Sequence, residues 1–130
     1  MNLEQYHEAT LGKKGTGGLR RRSQGKKLAQ YGGVFTATKV TEKEEERYNR
    51  RGTGGTRKVT AKYVKFANVL TEKGVKKAAI RTVAESPANR HFARQNIMTK
   101  GNIIDTELGK ARITNRVGQD GVVNCILIQK

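Results

Sequence analysis

From Lys58 onward, apolar and polar residues alternate in short runs with a period of two, the pattern of half-buried strands. Lys58–Leu70 alternates through Val59, Ala61 and Tyr63, then shifts phase at Val64 and Phe66, which predicts a strand with a bulge. Thr71–Gly74 reads as a turn, and Val75–Glu85 as the returning partner. Asn102–Leu108 and Lys110–Arg116 bracket Gly109 as a second hairpin. The turn at Gly118–Gly121 leads into Val122–Ile128, an apolar run short enough for a central buried strand. One helix interrupts the strands. Ser86 is expected to cap it, Pro87 to occupy its first position, and Ala88 and Phe92 to face the core one turn apart. The fold class predicted is mainly β: a small antiparallel barrel-like or sandwich-like body with one short helix.

Upstream of Thr56 this periodicity is lost. Tyr31–Val40 suits a short extended segment anchored by Val34 and Phe35, and Thr41–Tyr48 a short helix with acids in its first turn. Ten of the 15 glycines lie before Thr56. A segment so poor in apolar surface does not offset the entropy of ordering itself. Residues 1–55 are therefore expected to form a basic, Gly-rich extended arm, and residues 56–130 the β-barrel-like body.

Charge narrows the partners. The 130 residues carry 27 Lys and Arg against 11 Asp and Glu, a formal net charge of +16. Such an excess repels itself unless a polyanion neutralises it. No stretch approaches the ~18 apolar residues of a spanning helix, and Met1–Leu11 lacks the apolar run of a signal peptide. Nucleic acid is thus the leading partner, and a membrane is not expected. The one cysteine, Cys125, forms no internal disulfide and reads as a small buried strand residue, consistent with a reducing cytosol. With His7 and His91 alone beside it, no metal-ligand cluster arises. Neither serine, Ser23 or Ser86, stands in a nucleophile elbow, and no Walker or GxGxxG motif is present. No enzyme, cofactor or small-molecule substrate is expected.

The basic residues are grouped. Leu11–Gln30 carries Lys13, Lys14, Arg20, Arg21, Arg22, Lys26 and Lys27, no acid, and five interspersed glycines. A short repeat begins there: Lys13-Lys14-Gly15-Thr16-Gly17-Gly18 stands before Arg20, and farther along the chain Arg50-Arg51-Gly52-Thr53-Gly54-Gly55 stands before Arg57 and Lys58. Each copy is a small-residue elbow with cations on both sides, suited to close backbone approach to phosphate. Arg90 and Arg94, one helical turn apart, and Lys100 beyond them form a second candidate cluster, with His91 as a polar contact. Seven Phe and Tyr and no Trp are too few for a base-stacking platform, which leaves recognition of a shaped RNA backbone. On the residues alone, a chromatin-type or other ribonucleoprotein subunit stands as the alternative.

Several blocks, in order, resemble a known family. They are the Thr-Gly-Gly start, Phe35-Thr36-x-Thr38-Lys39, Arg57-Lys58-Val59 and Asn68-Val69. The most specific are Pro87-Ala88-Asn89-Arg90-His91-Phe92-x-Arg94-x-Asn96-Ile97, Thr99-Lys100-Gly101, Glu107-x-Gly109-Lys110-Ala111-Arg112, and Gly118 through Asn124. Together they resemble the small-subunit ribosomal protein family numbered eight in the "e" series, in its compact archaeal form. The resemblance implies a β-barrel-like body, a long basic arm in small-subunit ribosomal RNA, and neighbouring ribosomal proteins as further partners in the cytoplasm. It adds Lys39 to the candidate RNA contacts. The first dozen residues depart from the family, being mildly acidic and without Trp.

With seven cations in Leu11–Gln30 alone, the logarithm of affinity for a structured RNA should fall against the logarithm of salt with a slope of at least about −4, from ~0.7 per neutralised phosphate. A salt titration of the purified protein against a small-subunit rRNA fragment measures it. A slope near zero removes the electrostatic reading.

Overall fold

The computed structural model describes residues 11–21, 25 and 30–128. The chain divides into two compact units, residues 1–35 and 36–130. The second contains a three-stranded sheet of order β1-β3-β2 and a closed barrel of order β4-β5-β6-β7-β8. Strands β1 (Lys39–Val40), β2 (Glu46–Arg51) and β3 (Arg57–Val64) form the sheet. Strands β4 (Phe66–Thr71), β5 (Gly74–Glu85), β6 (Ile103–Thr106), β7 (Gly109–Ile113) and β8 (Asn124–Leu127) form the barrel. The predicted β class and barrel are observed. The barrel is antiparallel except where it closes, since β4 pairs parallel to β8.

The barrel interior explains its sequence. A small strand number leaves little internal width, so inward positions must be slim or few. Ala67, Ala78 and Ala111 supply the slim ones, and Val69, Ile80, Ile104, Ile113, Val123 and Cys125 fill the remainder. Burial pushes the Cys125 thiol up to about 12, so it stays protonated and inert. That agrees with its reading as a core residue.

Four local expectations are corrected. The phase shift at Val64 and Phe66 is a change of sheet: β3 ends at Val64, and β4 begins the barrel at Phe66. A bulge would have kept both halves in one ladder. Thr41–Tyr48 is not helical. The Thr41 hydroxyl accepts the Lys43 N–H in a local turn, and Glu46–Arg51 pairs antiparallel with β3, so long-range pairing overrides local helix preference. The helix α1 (Arg90–Arg94) begins later than expected, with Asn89 as its cap. Its carboxamide oxygen accepts the His91 N–H at 3.0 Å, while Ser86 Oγ turns to Asn102 Oδ1 and Ala88 is exposed outside the helix. The turn expected at Gly118 is a second short helix, α2 (Val117–Asp120), ended by Gly121 at φ +72°. A Cβ on Gly121 would stand 2.5 Å from Val59 Cγ1, so glycine is required both by the backbone and by the packing of α2 on β3.

The boundary expected at Thr56 falls inside the second unit, because β1 and β2 precede it and pair with β3. Val34 is half-buried and Phe35 exposed.

Glu45 fastens the crossover between sheet and barrel. Its Oε1 accepts the backbone N–H groups of Lys65 and Phe66, both at 3.2 Å, where neither strand ladder serves them. Its Oε2 pairs with Arg47 Nη2 at 2.6 Å, and Arg47 Nε donates to the Gly121 carbonyl at 2.8 Å. Burial raises the Glu45 pKa, but the two amides and then Arg47 outweigh it and hold the carboxyl below its ordinary value. A carboxylate favoured in this way stabilises the fold above the ordinary glutamate range, and the contribution is lost as pH falls through the depressed native value. Glu45→Gln keeps an acceptor for the two amides but removes the charge and the oxygen that accepts from Arg47. It should therefore lower stability at neutral pH by about 1 kcal/mol or less, a gap that narrows below about pH 4. Urea melts of both proteins across pH test this; a gap independent of pH overturns it.

Candidate nucleic-acid interface

Both copies of the glycine repeat fold as hairpin turns. In the first unit, Lys13 bridges Leu19, Gly17 N–H donates to the Lys14 carbonyl at 2.9 Å, and Lys14 N–H donates to the Gly18 carbonyl at 2.8 Å. Lys13, Lys14, Arg20 and Arg21 are exposed. Arg22, Lys26 and Lys27 lie outside the described residues.

In the second unit the repeat is the tip of the β2–β3 hairpin. Gly52 N–H donates to the Thr56 carbonyl at 2.7 Å across a 3-10 turn, Thr53–Gly55. Gly54 and Gly55 adopt φ +72° and +79°, which side-chain-bearing residues rarely do. The hairpin register sets Arg51 opposite Arg57, and Arg50 opposite Lys58. Opposed residues in an antiparallel pair project to the same face, so each doublet concentrates positive charge on one side of the hairpin. Lys58 Nζ also donates to Gln119 Oε1 of α2 at 3.2 Å, which steadies the strand end.

The second cluster is positioned by a different device. The residue after the α1 cap, Asn96, adopts φ +52°. Asn96 N–H then donates to the Ala93 carbonyl and Ile97 N–H to the Phe92 carbonyl, the paired bonds of a Schellman motif. Asn96 Oδ1 accepts Val83 N–H of β5 at 3.3 Å, tying the helix end to the barrel. Lys39 bridges Ile97, and Met98 N–H donates to the Thr38 carbonyl at 2.8 Å, so Lys39 runs alongside the chain leaving α1. Arg90, His91, Arg94, Lys39 and Lys100 are all exposed. The structure thus brings Lys39 to the α1 cluster, which spacing along the chain did not reveal.

Sequence reading passed over exposed cations on strand faces. Lys62 lies 5.5 Å from the Tyr48 ring centroid and 5.3 Å from that of Tyr63, and it pairs with Glu46 at 3.5 Å. Lys77 lies 4.2 Å over Phe66. The Tyr48 hydroxyl donates to Glu46, which with Lys62 holds the Glu46 carboxyl below its ordinary value. The alternation Lys58-Thr60-Lys62 was the signal available for this face. Among the described residues, no group of His, Cys, Asp or Glu is placed to hold a metal ion. No helix among them is long and apolar enough to cross a membrane.

These features define a small basic β-barrel protein whose cations are grouped on hairpin tips and beside a short helix. The chain belongs to the Ribosomal protein S8e family, which it matches over residues 7–128. That family is a structural, non-enzymatic one. Similar proteins include the small ribosomal subunit protein eS8 of Sulfurisphaera tokodaii, 44% identical over 96% of this chain and 98% of the relative. Those of Hyperthermus butylicus (42%, over 96% and 93%) and Methanocorpusculum labreanum (45%, over 90% and 94%) bear the same name.

The Asn96 geometry carries a stability prediction. Asn96→Ala loses the bond to Val83 and forces alanine into left-handed backbone, so it should cost roughly 2 kcal/mol. Asn96→Gly restores the backbone and should cost less. Thermal melts of the two variants rank them, and equal losses overturn the backbone argument.

Proposed function

We propose that this protein is a structural component of the small ribosomal subunit that binds and stabilises ribosomal RNA through contacts to its phosphate backbone. The observation that carries the reading is the β2–β3 tip, where register sets Arg51 opposite Arg57 at a glycine turn. Like charges placed directly opposite destabilise a sheet, and a bound polyanion offsets that cost. Backbone N–H groups at the turn and guanidinium groups beside it offer the two donor types that phosphate oxygens accept. The net charge of +16 supports the same partner, and the similarity to small-subunit proteins named eS8 favours a ribosomal polyanion over chromatin.

The glycine-jointed segment through Gly55 acts in this reading as the RNA-binding arm, with Lys39–Val40 and Glu46–Arg51 already paired against β3. Lys13, Lys14, Arg20, Arg21, Arg22, Lys26 and Lys27 follow the RNA path. Arg50, Arg51, Arg57 and Lys58 grip it from the hairpin. Arg90, His91, Arg94, Lys39 and Lys100 present a pre-formed contact beside the barrel. The body, residues 56–130, holds these groups in place and meets neighbouring ribosomal proteins on the cytoplasmic ribosome. The chemistry requires no cofactor or small-molecule substrate.

Replacing Arg51 and Arg57 together with Ala should weaken binding to a small-subunit rRNA fragment by roughly 1–3 kcal/mol at fixed salt. It should also make the salt slope shallower by about 1.4, for two phosphates lost. Removing opposed like charges should leave the melting temperature unchanged or raise it. Paired binding and melting curves test this. Unchanged affinity sinks the proposal, and a lower melting temperature with unchanged affinity assigns the pair a structural role.

A further inference from the structure

The barrel's outer surface carries an apolar row that core packing does not explain. On β4 and β5, Leu70 stands in register with Val75, and on β4 and β8 with Ile126. All three point outward, since their neighbours Val69 and Cys125 fill the interior. Val75 is 66% exposed, Leu70 47% and Ile126 49%, and Ile128, just past the end of β8, adds 41%. Single exposed aliphatic residues are ordinary, whereas a contiguous row across three strands marks a contact surface. Cations border it. Arg112 of β7 stands in register with Ile126, and Lys77 lies two residues along β5 from Val75. Beside Ile126 a groove of about 570 Å³ opens between Lys100, Arg112, Ile126 and Ile128.

We infer that this row docks a short apolar segment of a neighbouring protein, flanked by acidic residues that meet Arg112 and Lys77. Charge complementarity selects that occupant. Aliphatic side chains provide neither the rings on which bases stack nor donors for phosphate, so RNA leaves the row's desolvation unmatched. A second copy of this chain would bring Arg112 and Lys77 against the same cations in a protein of net charge +16. An acid-flanked apolar segment satisfies both parts: aliphatic contact along Val75, Leu70 and Ile126, and ion pairs at the border. The inference rests on the ribosomal reading above, because it places such a neighbour beside the barrel.

The test uses assembled small subunits. A photo-crosslinking benzophenone amino acid replaces Ile126, or Val75 if that chain does not enter subunits, and the crosslinked partner is mapped after irradiation. The expected product joins this chain to one ribosomal protein at an apolar segment bordered by Asp or Glu. Leu70→Asp should reduce that crosslink at least 10-fold, and Arg112→Glu at least 3-fold. Both variants should keep the melting temperature and the affinity for an rRNA fragment within about twofold. Crosslinks to rRNA, to residues 1–35 of the same chain, to a second copy, or to nothing in an assembled subunit overturn the inference. If Leu70→Asp loses rRNA affinity, the row is an RNA surface and the docking idea alone fails. If the unmodified protein does not bind rRNA, the proposed function fails instead.

Discussion

A single run of chain, Arg57–Thr71, serves two sheets, and nearly everything else in the second unit follows from how it changes between them. At Lys65 the backbone leaves the β1-β3-β2 sheet and enters the barrel, where an extended chain would otherwise present unpaired amides. Glu45 accepts both, and Lys65 in turn gives its carbonyl to Ile80 N–H at 2.9 Å. Upstream of this point β3 holds the cationic hairpin. Downstream, β4 begins and closes the barrel through its parallel pairing with β8. Glu45 itself belongs to the Thr41–Tyr48 run, whose acids were expected to favour the first turn of a helix. One of them is a structural clasp.

The division between legible and hidden features follows the range of the forces involved. Period-two alternation is imposed by burial on one face of each strand, so β5, β6, β7 and β8 were visible from Val75 onward. The glycine turns were visible because only glycine enters left-handed backbone cheaply. Pairing across long separations left no local trace. The sequence TEKEEERY carries helix preference, yet Tyr48 pairs with Thr60 in a strand. Ser86-Pro87 has the chemistry of a helix start, but Ser86 Oγ is drawn to buried Asn102, whose carboxamide also accepts Thr99 Oγ1 at 2.8 Å and donates to the Ile97 carbonyl at 3.0 Å. That network fixes the chain on either side of α1, and Asn89 takes over the cap. Lys39 joined the cationic cluster for the same reason: its place is set by a bridge to Ile97, far along the chain.

The two candidate RNA-facing clusters differ in how they are held. The α1 cluster sits on a helix of five residues, too short to persist alone. It exists because the Asn89 cap, the Schellman end and the tie to Val83 each remove an unpaired backbone group. The hairpin cluster relies on a continuous ladder from Arg47 to Arg51 against Arg57 to Ala61, with α2 packed behind through Gly121. Both are rigid supports for flexible cationic side chains, which lowers the ordering cost when a partner binds.

Opposed cations also link folding to the proposed partner. Arg51 against Arg57 raises the free energy of the folded hairpin relative to an open one, in which the charges separate. A polyanion bound to the folded form removes that penalty and adds stability in proportion to its concentration over its dissociation constant. The glycines at the tip act in the same direction, since they make the turn geometrically accessible while contributing no side-chain packing to hold it shut. The barrel carries no such debt, because its cations Lys77, Lys110 and Arg112 lie outward over an apolar interior completed without them. On the proposed reading, the stability that a bound polyanion would add is therefore concentrated at the β2–β3 tip and its flanking cations, while the barrel's interior is completed without it.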